Sequence, residues 1–365
     1  MPAEDLTIPS LDLRALARRA AVPAAIAAAL VAAVSLLGGP LHTFANAIER
    51  AIEADPAWVV GAAAFELLSF GGYILTLWLV GSRESARLGL RETTQITLGG
   101  AAATRLLPTA GVGGAAMTLW ALRRSGLGTR GATKTLLTFL ILVYAVFLAS
   151  ITITGTLLAV TGGGPLVLTA LPAALAFVGM VLPLAAAWWM PAEGAGRLHT
   201  VGVVLGGSVR GALSHVRSAD PRLLGAIAWW GFDMAVLYGM LNAFGTPPAF
   251  QVVVLAYFLG QVANTVPVPG AASGGLVGVL LAFGVEADLA IVAVLAYRAV
   301  AIWIPAPIGV VALGHLRRTM SRWEREDAAV VVPADAAVPV AAPVAREPEL
   351  VPLPRPAWRL EGAAA

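Results

Sequence analysis

Six apolar runs, each long enough to cross a bilayer as one helix, constrain this chain before anything else does. They cover approximately 21–39, 57–80, 133–161, 166–190, 223–244 and 287–314. Crossing the ~30 Å hydrocarbon layer takes about 20 helical residues. Only 12% of the residues are charged, about half the ~25% of a soluble domain. That is too little to coat a water-facing surface, so lipid must cover much of the molecule. Backbone polar groups find no water in hydrocarbon, so helices satisfy them internally. The expected fold class is an all-α polytopic membrane protein with six spanning helices.

Two further apolar stretches do not read as simple spans. One runs 94–122 and is interrupted at Pro108, Thr109, Ala110, Gly111, Val112, Gly113 and Gly114. The other runs 249–284 and is interrupted at Pro267, Val268, Pro269 and Gly270, followed by Gly274 and Gly275. Proline removes a helical hydrogen bond and glycine relaxes the backbone, so each stretch is expected to form two half-helices around an irregular tip.

Basic residues set the expected orientation. Of the 24 Lys/Arg, 21 fall on one side if the spans alternate and each broken stretch returns to the face it left. Arg50 alone lies on the opposite side, while Arg105 and Arg298 lie inside apolar segments. The basic side is read as cytoplasmic, with both termini there and the chain in the cell membrane. Arg14, Arg18 and Arg19 before the first run also fit a cleaved signal peptide, but the charge pattern works best with that run retained as a span.

A repeat follows from this topology. The first unit, within 21–190, holds three spans with a re-entrant broken stretch before the third. The second begins near 166 and continues through 223–323, with its own broken stretch before its last span. The units start from opposite faces, which makes an inverted-topology repeat, and such repeats place a site near the midplane between discontinuous helices. Residues 1–20 read as a cytoplasmic segment and 191–222 as an amphipathic cytoplasmic linker. The Ala/Pro-rich tail, 324–365, reads as disordered.

Candidate chemistry sits in the apolar segments. Glu66, Arg105, Asp233 and Arg298 are ionisable groups deep in lipid-compatible sequence, each costing roughly 2.5–3.5 kcal/mol at a helix centre. One reading has them line a polar cavity and bind a charged headgroup. The other has acid and base pair to lock helices together. Pro108, Gly111, Gly113 and Gly114 at the first tip, and Pro269, Gly270, Gly274 and Gly275 at the second, would let half-helix N-termini approach a phosphate. The same glycines fit tight helix packing. Asn264 and Gln261, just before the second tip, would hydrogen-bond a headgroup or satisfy the opened backbone.

Several classes are excluded. The chain has no cysteine, so disulfides, thiolate metal sites and Cys nucleophiles are out. The four histidines make no ligand-spaced pair, and no metal or cofactor is expected. The basic residues are loop clusters rather than a nucleic-acid patch, and no Walker-type phosphate loop occurs.

The run Leu98-Gly99-Gly100 through Arg105-Leu106-Leu107-Pro108, then Gly113-Gly114 and Leu122-Arg123-Arg124-Ser125-Gly126-Leu127, resembles the first block of the lysylphosphatidylglycerol synthase transmembrane region, a flippase-like family. Pro267-Val268-Pro269-Gly270 through Gly284-Val285, with Ala296-Tyr297-Arg298, resembles its second block. The likeness covers about residues 20–320. The family's second block carries Pro-Gly-Gly-x-Gly-x-x-Glu, whereas here Ala271-Ala272-Ser273-Gly274-Gly275 follows the Pro-Gly, without the Glu. The resemblance implies a membrane domain that moves or accommodates polar lipids, and it does not extend to the aminoacyl-transferase domain of true synthases.

The leading expectation is a non-enzymatic, flippase-like transporter of a polar or phospho-lipid. Arg105 and Arg298 would hold the phosphate, and Glu66 and Asp233 would balance charge. The alternatives are an intramembrane enzyme using Glu66 and Asp233, and a non-transporting scaffold whose tail docks an envelope-assembly partner. The sequence leaves the oligomeric state open.

Overall fold

The computed structural model describes residues 54–106, 112–189, 197–263 and 270–330. Among them it forms eleven α-helices and one short 3-10 turn. The first expected span, 21–39, lies outside the described residues, as do 331–365. Five helices are long and apolar enough to cross a membrane.

Helix α1 (Pro56–Glu84) starts at Asp55, whose carboxylate accepts from the Ala57 amide, with Pro56 at the first helical position. Both are favourable start signals. The chain then folds into a hairpin of α2 (Leu90–Leu106) and α3 (Val112–Arg124). Ser85 Oγ donates to the Ser125 carbonyl at 2.8 Å, so the hairpin's two ends meet beside the end of α1. Inside the hairpin a Cβ on Gly114 would meet Thr104 Oγ1 and lie 2.9 Å from the Gly100 carbonyl. Small residues thus let the two arms pack backbone to backbone.

Helix α4 (Thr129–Thr161), of 33 residues, is closed by Gly162 in the left-handed region. Helix α5 (Leu166–Trp189) contains Pro172 and Pro183. Gly155 of α4 faces Thr169 and Ala173 of α5, and Gly179 faces Leu148, so the two run antiparallel. Helix α6 (Arg197–Arg217) occupies most of the expected linker.

After the 3-10 turn Pro221–Leu223 comes α7 (Leu224–Phe244), then a second hairpin of α8 (Phe250–Val262) and α9 (Ala271–Ala282), then α10 (Ala287–Trp303) and α11 (Pro305–Val330). The arms of the second hairpin hold 13 and 12 residues, about 20 Å each, too short to span. Gly275 touches Ala263, and Gly260 touches Leu276.

The expected span 287–314 lies within a continuous helical stretch long and apolar enough to cross a membrane, Ala287–Ala329, which is divided into two consecutive helices at Ile304–Pro305. Proline there has no amide hydrogen, and its ring crowds the carbonyl four residues back. Beyond it α11 runs on to Val330, past residue 324, where the irregular tail was expected to begin.

Helices α1 and α7 form the central pair. The Asp55 amide donates to the Ala243 carbonyl, Phe65 stacks on Phe232, Ser69 Oγ donates to the Trp229 carbonyl at 2.9 Å, and Gly72 meets Gly225. Numbers that rise along one helix fall along the other, so the pair is antiparallel over its whole length. Each of the two helices leads into a hairpin at its C-terminal end. The hairpins are therefore rooted at opposite ends of the pair, which is the mirrored order read from the sequence.

A polar clamp closes the basic end of this pair. Arg222 grips Asp220 at 2.7 Å through Nη2, donates from Nη1 to Ser82 Oγ, and lies 4.6 Å from the Trp78 ring centroid. Arg83 adds a 3.7 Å contact to Asp220. Hydrogen bonding from Arg222 holds the Asp220 carboxyl down to about 2.

Candidate functional site

Glu66 lies midway along α1 and Asp233 midway along α7. The neighbouring stack of Phe65 on Phe232, 5.9 Å between centroids, fixes the two acids at the same level of the antiparallel pair. Both are buried, Glu66 completely.

Two further helices complete the cluster. Tyr257 and Gln261 stand one turn apart on α8, hence on one face. Tyr297 and Arg298 stand side by side on α10. The hydroxyls of Tyr257 and Tyr297 both donate to Asp233 Oδ2, the second at 2.8 Å. Gln261 Nε2 in turn donates to the Tyr297 hydroxyl at 3.0 Å. Both tyrosines are fully buried. A carboxylate oxygen has the lone pairs to accept two hydroxyls, so the network joins α7, α8 and α10 through one atom. Glu66 and Arg298 both lie within electrostatic range of the Tyr297 hydroxyl.

Arg298 differs from the rest of the cluster. Its Cζ sits 5.3 Å from the Tyr297 ring centroid, a cation–π distance that orients the guanidinium. Its Nε and Nη2 are buried and donate to no acceptor among the described residues. These two nitrogens share one edge of the planar group, the fork that grips a carboxylate or phosphate with two parallel hydrogen bonds. Leaving a buried donor unsatisfied costs about 1–3 kcal/mol, and more when it is charged. The spacing of the two donors matches a two-oxygen anion. Asp233, expected to balance an arginine, accepts hydrogen bonds from the two tyrosines.

The other sequence candidates divide as follows. Arg105 is the second-last residue of α2, which places its backbone at the inner end of the first hairpin. Pro108, Gly111, Asn264 and Pro269 lie outside the described residues. Gly113 and Gly114 fall in the first turn of α3 rather than in an irregular tip, and Gly114 packs on α2. Gly270 caps α9 with φ of 83°, a left-handed conformation that favours glycine. Gly275 packs against Ala263, while Gly274 faces open space. Three of the four intramembrane charges (Glu66, Asp233 and Arg298) therefore surround Tyr297, and at two of the glycines close packing is the observed role.

Sequence reasoning did not single out Tyr257 and Tyr297 as site residues. The available signal was the four-residue spacing of Tyr257 and Gln261, the side-chain hydrogen-bonding groups of an otherwise apolar face.

The arrangement defines a polytopic membrane protein with two broken-helix hairpins, rooted at opposite ends of a central pair, around buried charge. The family profile of the lysylphosphatidylglycerol synthase transmembrane region matches residues 20–309, and the chain belongs to that family. No curated protein and no solved structure gives a significant match.

Proposed function

We propose that this protein is a flippase-like transporter in the cytoplasmic membrane, moving a lipid with an anionic headgroup between leaflets. The observation that carries the reading is the buried Nε/Nη2 fork of Arg298, which has no acceptor among the described residues. A headgroup phosphate would fill it with two charge-assisted hydrogen bonds while the acyl chains stay in the bilayer. Arg105, at the inner end of α2, would supply a second cation on the path. Asp233 holds α8 and α10 in place through Tyr257 and Tyr297, and with Glu66 it offsets the two arginines before a phosphate enters. The α1–α7 pair would stay fixed while the hairpins open alternately toward the two faces. Both termini lie on the basic, cytoplasmic side, as the positive-inside rule orients the chain.

The test is reconstitution into liposomes with fluorescent lipids bearing different headgroups. The wild type accelerates equilibration of a phosphate-bearing lipid over empty liposomes. Arg298→Gln abolishes that acceleration, and Arg298→Lys restores only part of it, because an ammonium cannot present a planar fork. A wild-type rate equal to that of empty liposomes for every headgroup tested sinks the proposal, as does full activity of Arg298→Gln.

A further inference from the structure

The buried cluster around Tyr297 holds more acid than base. Glu66 is completely buried and Asp233 is 9% exposed, and among the described residues the cation beside them is Arg298. Two carboxylates against one guanidinium leave a negative charge, and counting Arg105 as the second cation brings the sum only to zero. A phosphodiester headgroup is itself an anion, so its entry leaves the site negative on either count. A bare charge inside hydrocarbon is costly, and an ionisable group in that position neutralises instead.

The two acids are not equivalent. The Tyr257 and Tyr297 hydroxyls both donate to Asp233 Oδ2, and a hydroxyl has one proton to give. Neither tyrosine has a second for Glu66, so an incoming proton is needed there and not at Asp233. The charged groups that share the surroundings of the Tyr297 hydroxyl with Glu66 are Asp233 of α7 and Arg298 of α10. The other tyrosines of the packed helices are engaged elsewhere: Tyr73 with Phe139 and Trp229, Tyr238 with Trp58 and Phe250, Tyr144 with Phe147 and Trp230. Arg105 apart, the remaining ionisable groups of α2, α4 and α10 stand within the first two turns of those helices.

We infer that entry of the anionic headgroup is coupled to uptake of one proton by Glu66, so that lipid and proton cross the membrane together as an electroneutral pair. The inference rests on the transport reading of the Arg298 fork. As the phosphate takes the fork, a proton from water on the side of entry bonds to a Glu66 carboxylate oxygen. On the far side the phosphate leaves, the O–H bond breaks and the proton returns to water. The emptied site then has the charge it began with. A proton difference across the membrane drives the lipid, and the membrane potential does not.

The experiment uses the full-length protein in liposomes with fluorescent phosphatidylglycerol, under an imposed pH difference or a potassium-diffusion potential. Quenching of the outer leaflet reads the share of label on each side. One pH unit is a tenfold difference in proton activity, so one proton per lipid should draw the leaflet ratio toward about tenfold, enriched on the alkaline side. A potential of either sign should leave the ratio at its resting value. A ratio that follows the potential and ignores pH overturns the inference and leaves transport standing, whereas absence of wild-type equilibration overturns both. Titration calorimetry in detergent, in two buffers of different ionisation enthalpy, counts the protons without transport. The wild type should take up one proton per phosphatidylglycerol bound, and Glu66→Gln, whose amide stays neutral, none. Zero uptake by the wild type overturns the inference, and so does one proton still taken up by Glu66→Gln. The wild-type count stands by itself, so a fold defect in the variant does not shield the inference.

Discussion

Replacing Gly72 by alanine should separate the two central helices, while the same change at Gly71 should not. A Cβ on Gly72 would lie 2.5 Å from the Gly225 carbonyl oxygen and 2.6 Å from the Trp229 amide nitrogen. Both are backbone atoms and cannot rotate away. Reaching an ordinary contact of roughly 3.4 Å or more requires α1 and α7 to part by about 1 Å, and such overpacking costs ~1–3 kcal/mol. The Ser69 to Trp229 hydrogen bond, one turn away at 2.9 Å, would stretch as well. Gly71 is the internal control, because a Cβ there meets nothing within 4 Å. Alanine at Gly71 should stabilise the helix by about 0.5–1 kcal/mol through reduced backbone freedom. The two neighbours should therefore move the unfolding midpoint in opposite directions, by ~1.5–4 kcal/mol in total. Denaturant unfolding in mixed micelles, followed by tryptophan fluorescence, reads this directly. Equal shifts of the same sign at Gly71 and Gly72 would refute the crossing point on which the mirrored arrangement depends.

Two other sites give sharp expectations. A double-mutant cycle of Asp233→Asn with Tyr297→Phe should show a coupling of ~0.6–1.7 kcal/mol, the range measured for hydrogen bonds inside membranes, and a value near zero would remove Asp233 as the joint between α7 and α10. His215, at the basic end of α6, is held below its ordinary 6.5 by burial and then by Arg83. The unfolded chain therefore binds the proton more readily than the folded one, so stability should fall as pH drops through 6.5 and below. His215→Gln should flatten that part of the profile, and an unchanged slope in the variant would show that another group titrates.

Some of this was legible in the sequence and some was not, for physical reasons. The spans were readable because hydrocarbon punishes charge, so the apolar runs carry the pattern almost alone. The two hairpins were readable because proline and glycine mark breaks, although Gly113 and Gly114 are helical and Gly114 is a contact point with α2. Glu66, Asp233 and Arg298 stood out because a charge in lipid needs a reason. Tyr257 and Tyr297 did not, since tyrosine is ordinary in an apolar helix until its hydroxyl is seen to have a partner. Pro305 was visible as a breaker, but the unbroken hydropathy from 287 to 314 concealed its effect. The end of α11 lies past the expected boundary because the charged helical segment Arg317–Glu326 carries the helix through 324 into the Ala-rich composition.

The welding of α1 to α7 bears on how such a molecule would be trapped. It resembles a keel with a door hung at either end. If the hairpins move as proposed, a covalent staple across the keel, from one central helix to the other, would leave each door free to swing. A staple from one hairpin to the keel would then shut a single face of the membrane and leave the opposite face untouched.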